Sequence, residues 1–249
     1  MVNIKTPEEI QIMAEGGAKL GRVKAALAAA VKAGVRASEI EELAVKLIKE
    51  EGAECSFKKV PGYHWATCVN VNSGLVHGIP VSSLIFKKGD IVSIDVGVLF
   101  KGFHTDTSIS VGIDLNPENQ KFFNIGRETL AKAIKMAKEG NRIYDISKAI
   151  EDTVEGAGYT TIKALVGHGV GRELHEEPQI PCFVPGTREE SLEIKRGMVL
   201  AIEVMYAMGS DKVEILEDGW TIAMRDDKIS GLFEDTVAVT GEGPKVLTR

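Results

Sequence analysis

The segment KGDIVSIDV, residues 88–96, recurs 108 residues later as RGMVLAIEV, residues 196–204. In each copy a basic residue and a glycine form a turn, and an apolar run that is typical of a buried strand follows. Each run carries one acid at the same place, Asp95 in the first copy and Glu203 in the second. The chain therefore consists of two similar halves, and each half places a carboxylate inside a buried strand.

The helices that precede these strands also occur twice. TPEE at residues 6–9 and NPEN at residues 116–119 each begin a helix, because a capping side chain is followed by proline at the first helical position. Glu9 completes a capping box in the first copy. We expect both helices to run for more than twenty residues and to end at Gly34 and Gly140, where glycine supplies a left-handed cap. GVRASEI at residues 34–40 and GNRIYDI at residues 140–146 then begin a second helix in each half.

Two helices followed by strands in each half favour an α+β fold over alternating β-α-β units. We expect a single domain over residues 1–249, with repeat halves at about residues 6–111 and 116–240. A pseudo-two-fold axis would relate the halves, with the sheet inside and the helices outside. The second half has a longer connection at residues 208–228, with a turn at residues 217–219.

The next strand of each half carries an acid as well. DTSISV at residues 106–111 matches EDTVAV at residues 234–239, so Asp106 and Glu234 join Asp95 and Glu203. An ionised carboxylate in a buried strand costs several kcal/mol unless it is paired or binds a metal. A buried salt bridge to arginine or lysine, or a strand end at the surface, would account for one such acid. Four acids in two matched pairs, with no basic residue inside the strands, predict two divalent cations that neutralise them.

Three histidines lie in segments that suit such a site. His168 is framed by glycines in GHGVG, residues 167–171, which lets the backbone approach a ligand closely and makes His168 a candidate metal ligand. His175 follows seven residues later, and His77 lies in the turn-like segment VHGIP, residues 76–80. We interpret His104 as a surface or strand residue and leave His64 unassigned.

This combination of side chains indicates hydrolytic chemistry. Carboxylates with one imidazole and no thiolate suit manganese, iron(II), cobalt or zinc, not a structural zinc knot. Two such ions about 3.5–4 Å apart can hold a bridging water and lower its pKa from about 15.7 towards about 7. The reaction that this permits is hydrolysis of a carbonyl or phosphoryl centre.

The composition excludes several other classes of protein. Hydrophobic residues make up 44% of the chain and charged residues 27%, as in soluble globular proteins. A net charge of −6 is unlike that of a dedicated nucleic-acid or anionic-membrane binder. No apolar run approaches the roughly 20 residues of a membrane span, and the first residues lack the features of a signal peptide. The three cysteines form no Cys-x-x-Cys motif, so we expect a reducing, cytoplasmic location.

Together the motifs resemble those of the type I methionine aminopeptidases of the short bacterial kind. The resemblance covers nearly the whole chain and is carried by VHGIP (76–80), IDVG (94–97), DTS (106–108), GHGVG (167–171), HEEP (175–178), IEV (202–204) and EDT (234–236). It implies the pita-bread fold, an α+β fold with a curved antiparallel sheet that prolidase, aminopeptidase P and creatinase share. It also implies metal-dependent removal of the N-terminal methionine from new polypeptides whose second residue is small.

The resemblance implies a role for each candidate residue. Five residues match the ligands of two divalent ions (cobalt, manganese, iron(II) or zinc): Asp95, Asp106, His168, Glu203 and Glu234. By resemblance Asp106 and Glu234 bridge the two ions, Asp95 binds one ion, and His168 and Glu203 bind the other. Glu203 also matches the residue that handles the proton of the attacking water. His175 is implied to stabilise the oxyanion, and His77 to position the scissile amide.

Three positions match the family's pocket for the methionine side chain: Tyr63, Cys68 and Trp220. For each of them packing in the core is the alternative. The chain departs from the family pattern nearby, with Leu174 where an aromatic residue is commoner, His64 where proline is usual, and Trp65 where a smaller or polar residue is usual.

Two other functions are compatible with the same fold. One is a proline-directed peptidase such as prolidase or aminopeptidase P, which typically carries an extra N-terminal domain. The first helix begins at Pro7, which leaves no room for such a domain. The other is a non-catalytic binding protein, a class that usually lacks the ligands present here.

We expect the partners to be nascent or short peptides with a free N-terminal methionine. We also expect the protein to be a monomer and to bind neither a membrane nor a dedicated nucleic-acid ligand. A transient contact with the ribosome stays open.

Overall fold

The computed structural model describes residues 2–249. Its helices are α1 (Pro7–Ala30), α2 (Ala37–Glu50), α3 (Pro117–Met136) and α4 (Ile143–Gly156), and a 3-10 turn covers Phe57–Lys59. Its strands are β1 (Glu54–Cys55), β2 (Thr67–Val71), β3 (Gly74–Val76), β4 (Ile91–Phe100), β5 (Phe103–Gly112), β6 (Thr160–Thr161), β7 (Val166–Gly169), β8 (Glu176–Pro181), β9 (Val199–Ala207), β10 (Val213–Ile215), β11 (Ile222–Met224), β12 (Ser230–Thr240) and β13 (Gly243–Val246). Within residues 2–249, none of the helices combines the length and the apolar character that a membrane span requires.

The long helices begin where the sequence predicts but end earlier. Thr6 caps α1 in a full capping box with Glu9, and the Asn116 side chain caps α3. The helices stop at Ala30 and Met136, and α3 has 20 residues rather than more than twenty. The reason is a non-local contact, because the chain leaves each helix to pair with the segment before the next long strand. The N–H of Gly34 donates to the carbonyl of Phe86, and that of Gly140 donates to the carbonyl of Ile194. Both glycines have positive φ, but in the turn after the helix.

A ten-stranded antiparallel sheet runs through both halves in the order β1-β4-β5-β12-β9-β7-β8, with β2 paired to β4, β6 to β9 and β13 to β12. The hairpin β4–β5 of the first half corresponds to the pair β9–β12 of the second. A separate three-stranded sheet, β10-β11-β3, contains the longer connection of the second half and the turn that the sequence predicts there. The α+β architecture is thereby confirmed.

Apolar side chains place the helices on one face of the sheet. One buried cluster joins α1 and α2 to β2 and β4 and includes Leu20, Ile40 and Ile94. A second cluster joins α3 and α4 to β9 and β12 and includes Phe122 and Ile146. Because the helices cover one face, the other face of the long strands is available for polar side chains.

The two halves of the sheet meet along a seam between β5 and β12. Backbone pairing between these strands covers only Glu234 opposite Ser108 and Asp235 opposite Thr107. Beside it, side-chain hydroxyls donate across the seam to backbone carbonyls: Thr107 to Glu234 (2.7 Å), Ser110 to Leu232 (2.8 Å) and Thr236 to Asp106 (2.7 Å). The centre of the sheet is therefore joined largely by side chains.

Candidate functional site

The register of the sheet places the predicted acids on one face. Asp95 in β4 lies opposite Ser108 in β5, Ser108 lies opposite Glu234 in β12, and Glu234 lies opposite Glu203 in β9. Residues directly opposite each other in an antiparallel sheet share a face, and so do residues two apart on one strand. Asp106, two residues before Ser108, therefore lies on the same face as the other three acids. The acids from the two halves meet at the seam.

His168 joins the acids from β7. It lies opposite Ala201, two residues from Glu203, and is therefore on the same face. Its Nδ1 lies 2.9 Å from the carbonyl oxygen of Gly169, which can only accept, so the proton is on Nδ1. Nε2 keeps its lone pair and lies 4.0 Å from Asp106 Oδ2. Burial and the neighbouring His175 lower the pKa of His168 to about 4, so the ring is neutral near pH 7 and can bind a metal.

Burial raises the pKa values of all four acids, and repulsion between the acids adds to the rise for Asp95, Glu203 and Glu234. Burial raises the pKa of Asp106 to about 7. Burial and the charge of Asp106 raise the pKa of Glu203 to about 8. The pKa values of Asp95 and Glu234 are raised well above their ordinary range, chiefly by burial and then by the charges of the neighbouring acids. Within residues 2–249 none of the four acids forms an ion pair with lysine or arginine.

The donor set fits divalent metal ions. Asp106, His168 and Glu234 each offer a ligand atom, and these atoms lie within 4.8 Å of one another. Asp95 Oδ1 is buried and has no hydrogen-bond partner among the described residues. Clustered carboxylates that lack counter-charges, together with a neutral imidazole, are the ligands that manganese, iron, cobalt and zinc accept. The Cys68 thiol nearby is protonated, because burial raises its pKa.

Every residue that the sequence placed in the site lines one cavity of about 140 Å³. Besides the five acid and histidine ligands proposed above, these residues are His77, His175, Tyr63, Cys68 and Trp220. The histidines His64 and His104 are not among the lining residues. The cavity is thus a polar floor of acids and histidines joined to a largely apolar wall.

The apolar wall is organised around Tyr63. Its hydroxyl donates to the carbonyl of Thr67 at 2.8 Å and lies 3.2 Å from Cys68 Sγ. The ring of Trp220 packs edge-on against Tyr63 with centroids 5.0 Å apart, and Trp65 does so at 5.3 Å. Of the two tryptophans, Trp220 lines the cavity and Trp65 supports Tyr63 from outside it.

Sequence reasoning missed part of this wall. Phe57 and Val60 line the cavity beside Leu174, the position at which the chain departs from the pattern of the family that it resembles. Phe57 and Val60 lie three residues apart at a 3-10 turn, so both face the same way. That spacing is the available signal, but it does not separate a pocket wall from ordinary core.

His175 and His77 face the cavity as neutral rings. The rings of His175 and His168 pack edge-on, with centroids 4.5 Å apart. His77 has a positive φ of 58°, a conformation that is strained for a residue with a side chain and that is often found at functional sites. Burial lowers the pKa of both rings, and for His77 the charge of His175 adds to this effect.

His104 is a buried strand residue, so the surface alternative was wrong. Its side chain lies on the inner face of β5 and its Nδ1 is 2.6 Å from the hydroxyl of Ser56. The partner comes from a segment 48 residues away, which explains why local sequence did not reveal the burial.

Comparisons with known proteins agree with this geometry. A family model described as metallopeptidase family M24 matches residues 11–241. Methionine aminopeptidase 1 of Bacillus subtilis is 40% identical over 250 residues that cover 100% of both chains. The crystal structure of a methionine aminopeptidase from Thermotoga maritima superposes with a TM-score of 0.96 at 40% identity, with full coverage of both chains. A prolidase from Pyrococcus furiosus gives a TM-score of 0.79 at 26% identity, over 99% of this chain and 65% of that one.

Proposed function

The chain belongs to metallopeptidase family M24, and from this we propose that it removes the N-terminal methionine from polypeptides whose second residue is small. The observation that carries the proposal is one cavity in which four buried acids and a neutral histidine lie beside an apolar wall. The acids and the histidine account for metal-dependent hydrolysis. The wall accounts for recognition of an apolar side chain such as that of methionine.

The fold is the pita-bread fold that methionine aminopeptidases and prolidases share. The two kinds of enzyme are separated by the comparisons, because the full-length matches at about 40% identity carry the name methionine aminopeptidase. The prolidase relative is less similar and considerably longer. A proline-directed activity is therefore not favoured, and neither is a non-catalytic binding role for a chain in which every proposed ligand is present.

Membership of the M24 family implies the use of divalent metal ions. We assign two ions to five ligands: Asp95, Asp106, His168, Glu203 and Glu234. When bound, the ions supply a water of lowered pKa and polarise the peptide carbonyl. Two ions carry about +4 in charge, which balances four carboxylates that have no other counter-charge.

The protein's own groups then carry the proton and hold the substrate. Glu203 accepts the proton of the attacking water at its carboxylate and delivers it to the leaving amine nitrogen. His175 donates its ring N–H to the oxygen that becomes negative in the tetrahedral state. His77, fixed by its strained backbone, positions the scissile amide between the acids and His175. The apolar wall around the methionine side chain excludes water from that end of the cavity.

The substrate preference tests this proposal directly. With manganese, cobalt or iron(II) added, the protein should release methionine from Met-Ala-Ser and leave Met-Lys peptides and peptides that begin with proline largely uncleaved. The measurement is the amount of free amino acid released, with Ala-Ala-Ser as the control for side-chain recognition. Equal cleavage of X-Pro bonds would show that the chain is a proline-directed peptidase instead.

Trp220 should contribute to methionine binding whereas Trp65 should not. We expect Trp220→Ala to raise KM for Met-Ala-Ser about tenfold, because it removes apolar area from the cavity wall. The matched control is Trp65→Ala, since Trp65 contacts the same Tyr63 ring from outside the cavity. Steady-state kinetics on both variants measure the difference. An equal rise of KM in both variants would assign Trp220 to the support of Tyr63 and not to the substrate.

The relatives named methionine aminopeptidase act on peptides with an N-terminal methionine. We propose that this protein acts on nascent chains in the cytoplasm as a monomer. The three unpaired cysteines support a reducing compartment.

A further inference from the structure

The segment before α1 is tied to the loop that carries His175. The backbone N–H of Lys5 donates to the carbonyl of Gly197 at 2.8 Å, and the Lys5 side chain is buried. Lys5 Nζ lies 2.6 Å from Glu176 Oε2, and both side chains are only 4% exposed. A second donation from Nζ reaches the carbonyl of Asn3 at 3.2 Å. A residue at the start of the chain is thus joined to one beside the active site.

The carboxylate of Glu176 organises the loop from inside. Its Oε1 accepts from the backbone N–H of Glu173 at 3.3 Å, while Oε2 holds Lys5. Burial by itself raises the pKa of Glu176, but the hydrogen bond and the charge of Lys5, helped by the Glu173 N–H, bring the net pKa below its ordinary value. The carboxylate is therefore ionised near pH 7, and Lys5 is its counter-charge.

Gly171 shows how closely the loop is fitted to this ion pair. A Cβ at residue 171 would lie 2.5 Å from Lys5 Cε and 2.7 Å from Glu176 Oε1. Its φ is not positive, so a side chain at this position would displace the ion pair without straining the backbone. The carbonyl of Gly171 accepts from the backbone N–H of His104 at 2.7 Å, which ties the loop to β5.

His175 has few restraints of its own. Within residues 2–249 its ring makes no hydrogen bond, and its contact with His168 is a ring packing whose centroids are 4.5 Å apart. The position of the ring therefore depends on the backbone at residues 175–176, which is held by the pairing of Glu176 with Gly169 at the start of β8 and by the Glu176 side chain. A shift of about 1 Å in a catalytic group can lower a rate by about 10²-fold.

We propose that Lys5 is a positioning residue for the hydrolysis, acting through its buried ion pair with Glu176 to hold His175 over the reacting carbonyl. This rests on the proposed function, in which His175 stabilises the developing oxyanion. A buried ion pair seldom adds net stability compared with apolar side chains of the same size. Its contribution is to fix one conformation of the loop that carries His175.

The test uses the double variant Lys5→Met/Glu176→Gln, which removes both charges and leaves neither one buried alone. The amide oxygen that replaces the carboxylate can still accept from the Glu173 N–H. We expect kcat on Met-Ala-Ser to fall about tenfold, with KM changed less than twofold, because the affected group acts mainly in the transition state. The matched control is Arg172→Gln, which removes the ion pair between the same loop and Glu9 and replaces an arginine that is 67% exposed. Such exposed pairs contribute little, so the control should match the wild type.

Two further measurements separate positioning from a general structural role. In a His175→Ala background the double variant should have no additional effect on kcat, because the group that it positions is gone. Amide hydrogen exchange at residues 171–176 should be faster in the double variant and unchanged in Arg172→Gln. An undiminished kcat, or the same fall in kcat with and without His175, would overturn the proposal.

The experimental results would be different if the proposed function, and not the role of Lys5, were wrong. If the wild type does not cleave methionyl peptides at all, the aminopeptidase assignment fails, and hydrogen exchange still decides whether Lys5 holds the loop. Faster exchange at residues 171–176 in the double variant would keep the positioning of His175, whereas unchanged exchange would exclude it.

Discussion

Asp106→Asn should lower kcat/KM on Met-Ala-Ser by more than about 10³-fold at saturating metal. Asp106 lies at the seam between the two halves, within reach of both His168 and Glu234. With Glu234 it is one of the two acids that we propose as bridges between the ions. An amide has one acceptor oxygen and no charge, so it cannot hold two cations. Initial rates over a range of metal and peptide concentrations measure the loss.

The same substitution should stabilise the metal-free protein. Loss of activity without loss of stability would show that a metal ligand has been removed while the fold is intact. Asp106→Asn removes one of four buried like charges, so the midpoint of thermal unfolding without metal should exceed that of the wild type at pH 8. Asp114→Asn is the matched control, because Asp114 is exposed, has a positive φ that asparagine tolerates, and is not part of the cavity lining. Near-normal activity in Asp106→Asn would mean that the bridge is assigned to the wrong residue.

Metal ions should raise the midpoint of thermal unfolding by about 10 °C at pH 8 and by only a few degrees at pH 5.5. In the metal-free fold the pKa of Asp106 is about 7 and that of Glu203 about 8. Unfolded carboxyls titrate near about 4, so the folded state binds more protons between pH of about 4 and 8. The metal-free protein therefore loses stability as the pH rises through this window.

Binding of metal reverses that loss, because the ions displace the protons and then neutralise the carboxylates. Calorimetric scans with and without a chelator at pH 5.5, 7 and 8 measure the difference, and the chelated protein should show no peptidase activity. Asp106→Asn serves as the control, since its metal-free stability should depend less on pH. A metal-free wild type that is as stable at pH 8 as at pH 5.5 would contradict the clustering of ionisable acids.

Local chemistry made the helix starts predictable, whereas their ends depended on distant residues. Thr6 and Asn116 cap their helices with their own side chains, and both were evident from four-residue motifs. The early ends at Ala30 and Met136 arise because the chain then forms hydrogen bonds with segments far along the sequence, Gly34 with Phe86 and Gly140 with Ile194. No local pattern carries that information.

The acids were predictable because charged residues stand at matching positions in the buried strands of both halves, where apolar residues are expected. Phe57 and Val60 obey such a pattern, so nothing in their type marked them as a pocket wall. The roles of His77 and His175 came from resemblance alone. The ion pair of Lys5 and Glu176 joins residues 171 positions apart and follows only from the folded chain.

The seam between β5 and β12 divides the sheet into its two halves. Two residue pairs and a few hydroxyls join these halves, and the proposed ligands lie on both sides of the seam. Bound ions would thus link the two halves of the sheet at its centre. Removal of the ions should therefore weaken the attachment of the two halves to each other.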